Sequence, residues 1–208
     1  ARYFQSNDRR MKQDIFVEVY RKLIHCSSIL LPTGYMYIIK DQDMMIFILT
    51  LLSLFSIFVE ILRNRIPRMK NLFNLTLSNV LRVEEIRGQL TGASWLLFGS
   101  LITVIIFPLE IAVPALIYLT IGDSFAAIIG KLYPIGKVGL KSISGTFAGF
   151  ITSSIIAIKF NKIIPLEIII FGSIVAMIVE LIPHKKLNDN ITIPIISALS
   201  IQLSLRYI

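Results

Sequence analysis

The feature that most constrains this chain is a series of apolar blocks on the scale of a lipid bilayer. A bilayer-spanning helix takes about 20 predominantly apolar residues. Blocks of this kind run over 23–39, 44–62, 93–107, 111–129, 143–158, 163–182 and 191–205. The 55% hydrophobic content and mean hydropathy of +0.75 are too high for a soluble protein of 208 residues. The expected fold is all-α: a polytopic integral membrane protein of about seven transmembrane helices. Residues 1–22 would form a cytoplasmic or interfacial segment. Residues 23–208 would form a single transmembrane catalytic domain.

The basic residues orient this arrangement. Lysine and arginine collect in cytoplasmic loops. With the N-terminus inside, 17 of the 21 Lys and Arg residues fall on the cytoplasmic side. Only Lys40, Lys159, Lys162 and Arg206 fall outside. The net charge of +8 is thereby explained as topology, and no soluble basic face for nucleic acid is visible. A lone Cys26 excludes an internal disulfide. The chain opens at Ala1 on a polar, basic stretch unlike a signal peptide, which suggests a trimmed N-terminus. In the long polar connection 63–89, Phe73, Leu77, Val80 and Leu81 follow helical spacing, with Leu72, Leu75 and Val83 off that stripe. This predicts an interfacial helix.

The same orientation draws the unusual polar residues to one side. Asp123 interrupts an apolar run, flanked by Gly122 and Ser124. A carboxylate inside a membrane segment is costly, and usually faces the bundle interior as part of a functional site. Asp123 is therefore expected to be a Mg²⁺ ligand or a base that accepts a hydroxyl proton. The loop that follows carries Gly130 and Gly145 with Lys131, Lys137 and Lys141. Glycines let backbone N–H groups approach phosphate oxygens, and lysines supply point charge. The spacing is not that of a Walker A loop. Ser142, just before the next helix, is expected to cap it or help hold phosphate. Arg21, Lys22 and His25 sit around the start of the first block, with Arg21 and His25 on one helical face. They could hold phosphate or anchor at the interface. Glu180 and Asp189 could share the metal, Mg²⁺ or another divalent cation, while Asp189 and Asn190 could also cap the last helix. Gln89, Thr91 and Gly92 open the third span and could contact nucleotide or simply cap. Glu60, Glu110 and Glu167 read as interfacial carboxylates.

Four segments in this order resemble the CTP-dependent lipid-alcohol kinases: dolichol kinase, phytol (polyprenol) kinase and the fungal CTP-dependent diacylglycerol kinase. They are RKLIH at 21–25, GQLTGASWLLFG at 88–99, GDSFAAIIGKLYPIGK followed by KSISGTFAGF, and VELIPHKKLNDNITIP at 179–194. The family shows two acidic residues before the final Asn, whereas this chain has only Asp189. The resemblance implies phosphoryl transfer from CTP to the hydroxyl of a membrane lipid alcohol, at a site facing the cytoplasm of a bacterial inner membrane or an ER-type membrane. Asp123 and Lys141 would be central to catalysis. The middle segment also resembles CDP-diacylglycerol synthase, so cytidylyl transfer is the alternative. A non-catalytic lipid-binding or transport protein is a third reading, for which no internal repeat is found.

Overall fold

The protein, analysed as a computed structural model, is described over residues 2–77, 81–182 and 188–207. Val80, His184, Lys185 and Lys186 lie outside the described residues.

Helix α1 (Arg2–Ser27) carries the polar opening stretch into the first apolar block without a break at residue 22. The rest of that block does not continue it. Pro32 falls in the short α2 (Leu30–Gly34), and Tyr35–Ile39 winds as a π-helical turn. Lys40 then takes a left-handed conformation, φ 58°. Asp41 caps α3 (Gln42–Arg65), accepting from the Met44 N–H at 2.8 Å. The polar connection forms α4 (Pro67–Leu77) and α5 (Val83–Ile86). On α4 the expected stripe residues Phe73 and Leu77 are half-buried, whereas Leu72 and Leu75 are exposed.

Next come α6 (Gly92–Ile106) and α7 (Leu109–Ile117), a π-helical turn at Tyr118–Gly122, and α8 (Asp123–Leu132). A two-residue hairpin follows, β1 (Lys137–Val138) antiparallel to β2 (Lys141–Ser142), with Lys137 opposite Ser142. Its turn uses Gly139 at φ 62°, a conformation open to glycine without strain. The chain closes with α9 (Ile143–Phe160), α10 (Leu166–Leu181) and α11 (Asp189–Leu205).

Among the described residues, three helices are long and apolar enough to cross a membrane: Gln42–Arg65, Leu109–Leu132 and Ile143–Phe160. The expectation of seven such spans is not met. The first block is broken by a turn at Ser28–Ile29, after which Leu30–Ile39 is only ten residues long. Helices α6, α10 and α11 have 15, 16 and 17 residues. At about 1.5 Å per residue they reach roughly 23–26 Å, short of a core of about 30 Å. The apolar blocks overcounted because Phe107, Ile163, Ile164 and Ile182 are apolar without being helical.

Leu109–Leu132 is the axis of the fold. Its apolar window is 83% buried, against 22% for α3 and 28% for α9. Helices α1, α9, α10 and α11 surround it. The contact with α9 is close because glycines face backbone. A Cβ on Gly145 would stand 2.2 Å from the Ala126 carbonyl oxygen, and one on Gly149 would stand 2.6 Å from that of Gly122. Small residues of this kind let apolar helices touch along their backbones.

Candidate functional site

Asp123 is the first residue of α8, directly after the π-helical turn, and is 5% exposed. A π turn carries more residues than an α turn, so residues beyond it are rotated relative to the face set by α7. Lys22 of α1 donates to Asp123 Oδ2. His25, one turn further, has Nε2 3.5 Å from the same oxygen and 3.2 Å from the Leu119 carbonyl oxygen. Thus Lys22 and His25 share the face toward α8. Arg21, grouped with His25 in the sequence, instead pairs with Glu18 at 2.5 Å. Burial and the nearby charge of Arg82 pull the Arg21 guanidinium below its ordinary pKa, against the pull of Glu18.

A second group lies beside the first. Lys141 of β2 donates to Asp189 Oδ2 at 2.8 Å and to the Glu180 carbonyl oxygen, and stands 3.4 Å from Glu180 Oε1. Thr146 donates to Glu180 Oε2 at 3.4 Å. The hairpin, the end of α10 and the start of α11 therefore meet at one lysine. Burial opposes the Lys141 charge, but Glu180 and Asp189 outweigh it and hold its pKa above the ordinary 10.5. The stabilisation from its charged form is therefore present below 10.5 and is lost only as pH rises through the elevated value. Strand β2, which carries Lys141, packs against α8, which carries Asp123.

Other residues singled out in the sequence take up structural positions. Gly130 and Gly145 pack helix against helix rather than lining a loop. A Cβ on Gly130 would stand 2.8 Å from Ser142 Oγ. Lys131 and Lys137 are exposed and do not join Lys141. Ser142 caps α9, accepting from the Gly145 N–H at 3.2 Å. Loss of such a cap costs about 0.5–2 kcal/mol. Ser142→Ala should therefore lower thermal stability in detergent by that amount, with the helical circular dichroism of the folded state retained.

The start of α6 is held by two carboxylates: Glu60, expected to be interfacial but buried, and Glu85, for which no role was expected. Glu60 accepts from the Thr91 N–H at 2.8 Å and the Ser94 hydroxyl at 3.1 Å. Glu85 accepts from the Gly92 N–H at 2.7 Å. Arg63 pairs with Glu60 at 2.5 Å and donates to the Gln89 carbonyl oxygen at 2.7 Å. Glu60 and Arg63 are each 4% exposed. Gln89 and Gly92 thus serve this junction through their backbones, and Thr91 also caps α6 with its hydroxyl, which accepts from the Ser94 N–H at 3.5 Å. Asn190 donates from its side chain to the Gly92 carbonyl oxygen at 3.1 Å, tying α11 to α6. The signal for Glu60 and Arg63 was present in the sequence. Opposite charges three apart at the end of an apolar span share a helical face.

The expected metal trio of Asp123, Glu180 and Asp189 is divided between two lysines. Among the described residues, no three His, Cys, Asp or Glu side chains gather closely enough to hold a metal ion. Glu180 and Asp189, both turned to Lys141, form a smaller set. Mg²⁺ commonly takes one or two carboxylates and completes its shell with water and substrate phosphates. The two-carboxylate set fits that requirement, and a three-carboxylate cage does not.

An uncharacterized protein of Rickettsia prowazekii (strain Madrid E) is 28% identical over 196 residues, covering 90% of this chain and 95% of that protein. No family model matches the chain, and no solved structure matches it.

Proposed function

We propose that the chain is an integral membrane enzyme that transfers the γ-phosphoryl group of CTP to the hydroxyl of a membrane lipid alcohol, a prenol or a diacylglycerol. The observation that carries this reading is the convergence of Lys22, His25, Asp123, Lys141, Glu180 and Asp189, drawn from five elements, in a predominantly apolar bundle. A bundle of this composition has no stability reason to gather so many ionisable groups, since an apolar replacement of a buried ion pair is often neutral or stabilising.

In the proposed arrangement the chain crosses the membrane seven times, with the interrupted first block and α6, α10 and α11 as short crossings completed by their apolar flanks. The N-terminus and the charged cluster face the cytoplasm, as the 17-to-4 distribution of basic residues favours. Outward-facing Phe47, Leu51, Leu54, Phe55 and Phe58 give α3 an exterior suited to lipid. CTP would approach from the cytoplasm and the lipid alcohol from the bilayer.

Phosphoryl transfer depends mostly on positioning and charge neutralisation. Lys141 would leave its carboxylates for the triphosphate, and Lys131, Lys137 and Arg21 would add positive charge at the mouth. Glu180 and Asp189 would then be free to hold Mg²⁺, which when bound neutralises phosphate charge. Asp123, held beside Lys22 and His25, would accept the proton of the attacking hydroxyl. The test is transfer from CTP labelled at the γ- or the α-phosphate to several lipid alcohols, and in parallel to phosphatidate, in mixed micelles. Label in the lipid from γ-labelled CTP only, with CDP released, is the expected result. Label from the α-phosphate, with pyrophosphate released, would replace this reading with cytidylyl transfer.

A further inference from the structure

Among the described residues, the Glu60–Arg63 pair is the most deeply buried charge cluster outside the proposed site, and the proposed reaction does not use it. Both residues lie on α3, the least buried of the three long apolar helices, yet each is 4% exposed. Arg63 is enclosed by Phe73 of α4, whose ring centre lies 5.1 Å from its guanidinium carbon. Its Nε and Nη1 groups have no hydrogen-bond partner among the described residues. Burying an arginine with donors unsatisfied is costly. The pair as placed is therefore poor at stabilising and specific in what it touches.

What it touches is the first turn of α6. Glu60 holds the Thr91 N–H and the Ser94 hydroxyl, and Arg63 holds the Gln89 carbonyl. That turn in turn holds α11, because the Gly92 carbonyl accepts from Asn190 Nδ2 at 3.1 Å. A second tie lies about two turns along α6. Pro194 has no N–H for the carbonyl four residues before it, which is that of Asn190. The freed oxygen sits against Gly99, where a Cβ would stand only 1.9 Å away. Asp189, the neighbour of Asn190, is the residue that holds Lys141. The connection is thus continuous from α3 through α6 to the first turn of α11.

We propose that Glu60 and Arg63 are positioning residues for the Lys141–Asp189–Glu180 group, acting through the first turn of α6 on Asn190. The functional meaning of this rests on the proposed phosphoryl-transfer reading, whereas the mechanical coupling does not. Neutralising both charges together, Glu60→Gln with Arg63→Met, avoids leaving one charge buried alone and keeps the fold accessible. Asn190→Ala cuts the same connection at its other end.

The direct readout needs no activity. It is the labelling rate of individual lysines by a water-soluble amine reagent, measured by peptide mass spectrometry on the full chain in detergent. Lys141 should label about 5–10-fold faster in the paired variant and in Asn190→Ala, the range expected when about 1–1.4 kcal/mol of ion pairing is lost. Adding Asp189→Asn to either variant should give little further increase, since the same contact is already released. Lys22, held by Asp123 on α8, should label at its original rate. Unchanged Lys141 labelling would overturn the proposal. So would independent, multiplicative effects in the combined variant, or an equal rise at Lys22, which would report general loosening. The second readout is transfer from γ-labelled CTP, where KM for CTP should rise because the displaced Asp189 no longer joins Glu180 in holding the Mg²⁺ that accompanies CTP, with kcat changed less. Absence of transfer in the parent chain would remove the kinase reading while the labelling result still decides the coupling.

Discussion

Asp123→Asn is expected to lower CTP-dependent phosphoryl transfer by roughly 10²–10⁴-fold, the range that a positioned acid or base supplies. It is also expected to destabilise the protein, because Lys22 would remain buried opposite an amide. Removing one partner of a buried ion pair costs about 3–5 kcal/mol. The two effects separate in the variant Lys22→Met with Asp123→Asn, which leaves no unpaired charge. Thermal unfolding in detergent should recover most of the lost stability, while transfer from γ-labelled CTP stays at the level of the single variant. Recovery of activity together with stability would make Asp123 a structural counterion and would remove it from the chemistry.

The second large effect is expected at Gly99, a position with no ionisable chemistry at all. A Cβ there would meet the Asn190 carbonyl oxygen at 1.9 Å and its carbon at 2.8 Å. Both are backbone atoms and cannot rotate away, so α6 and α11 must separate. Overpacking of a well-filled contact costs typically about 1–3 kcal/mol, and Gly99→Ala should lie at the upper end. Gly34 provides the contrast, since a Cβ there meets nothing within 4 Å. Gly34→Ala should be neutral or stabilising by up to about 1 kcal/mol, because alanine favours the helical backbone. Paired melting curves of the two variants check both statements. Equal stability of Gly99→Ala and the parent would show that α11 is free to shift. Activity should fall with Gly99→Ala even below its melting temperature, since Asp189 sits beside the displaced carbonyl.

The local events at the site were legible in the sequence to different degrees. The lone carboxylate at Asp123 stands out because charge is costly in an apolar run, and the structure buries it against two basic residues. Ser142 was legible as a cap, because a serine before a helix can satisfy an orphan N–H. Lys131 and Lys137 could not be told from Lys141 by residue type. The hairpin separates them: register places Lys141 opposite Val138 and turns it toward Glu180 and Asp189, while Lys131 and Lys137 remain outside. Gly130 and Gly145 were expected to let backbone approach a phosphate. Only the approach of α9 to α8 shows that a Cβ has no room there.

By itself, the sequence determined that the chain is helical and strongly apolar, with its unusual charges in a few separated segments. Hydrophobic block length and the cost of an isolated charge are local properties, and no partner is needed to read them. The number of complete long spans was not local in this way, because helices end inside continuous apolar sequence, as at Ser27 and Ile106. Tertiary structure alone decided which charges pair. Lys22 met Asp123 rather than a phosphate site with Arg21, Lys141 took Glu180 and Asp189, and Glu60 with Arg63 clasped the start of α6. Each choice depends on which helix faces which, at distances of a few ångströms that spacing along one chain does not specify.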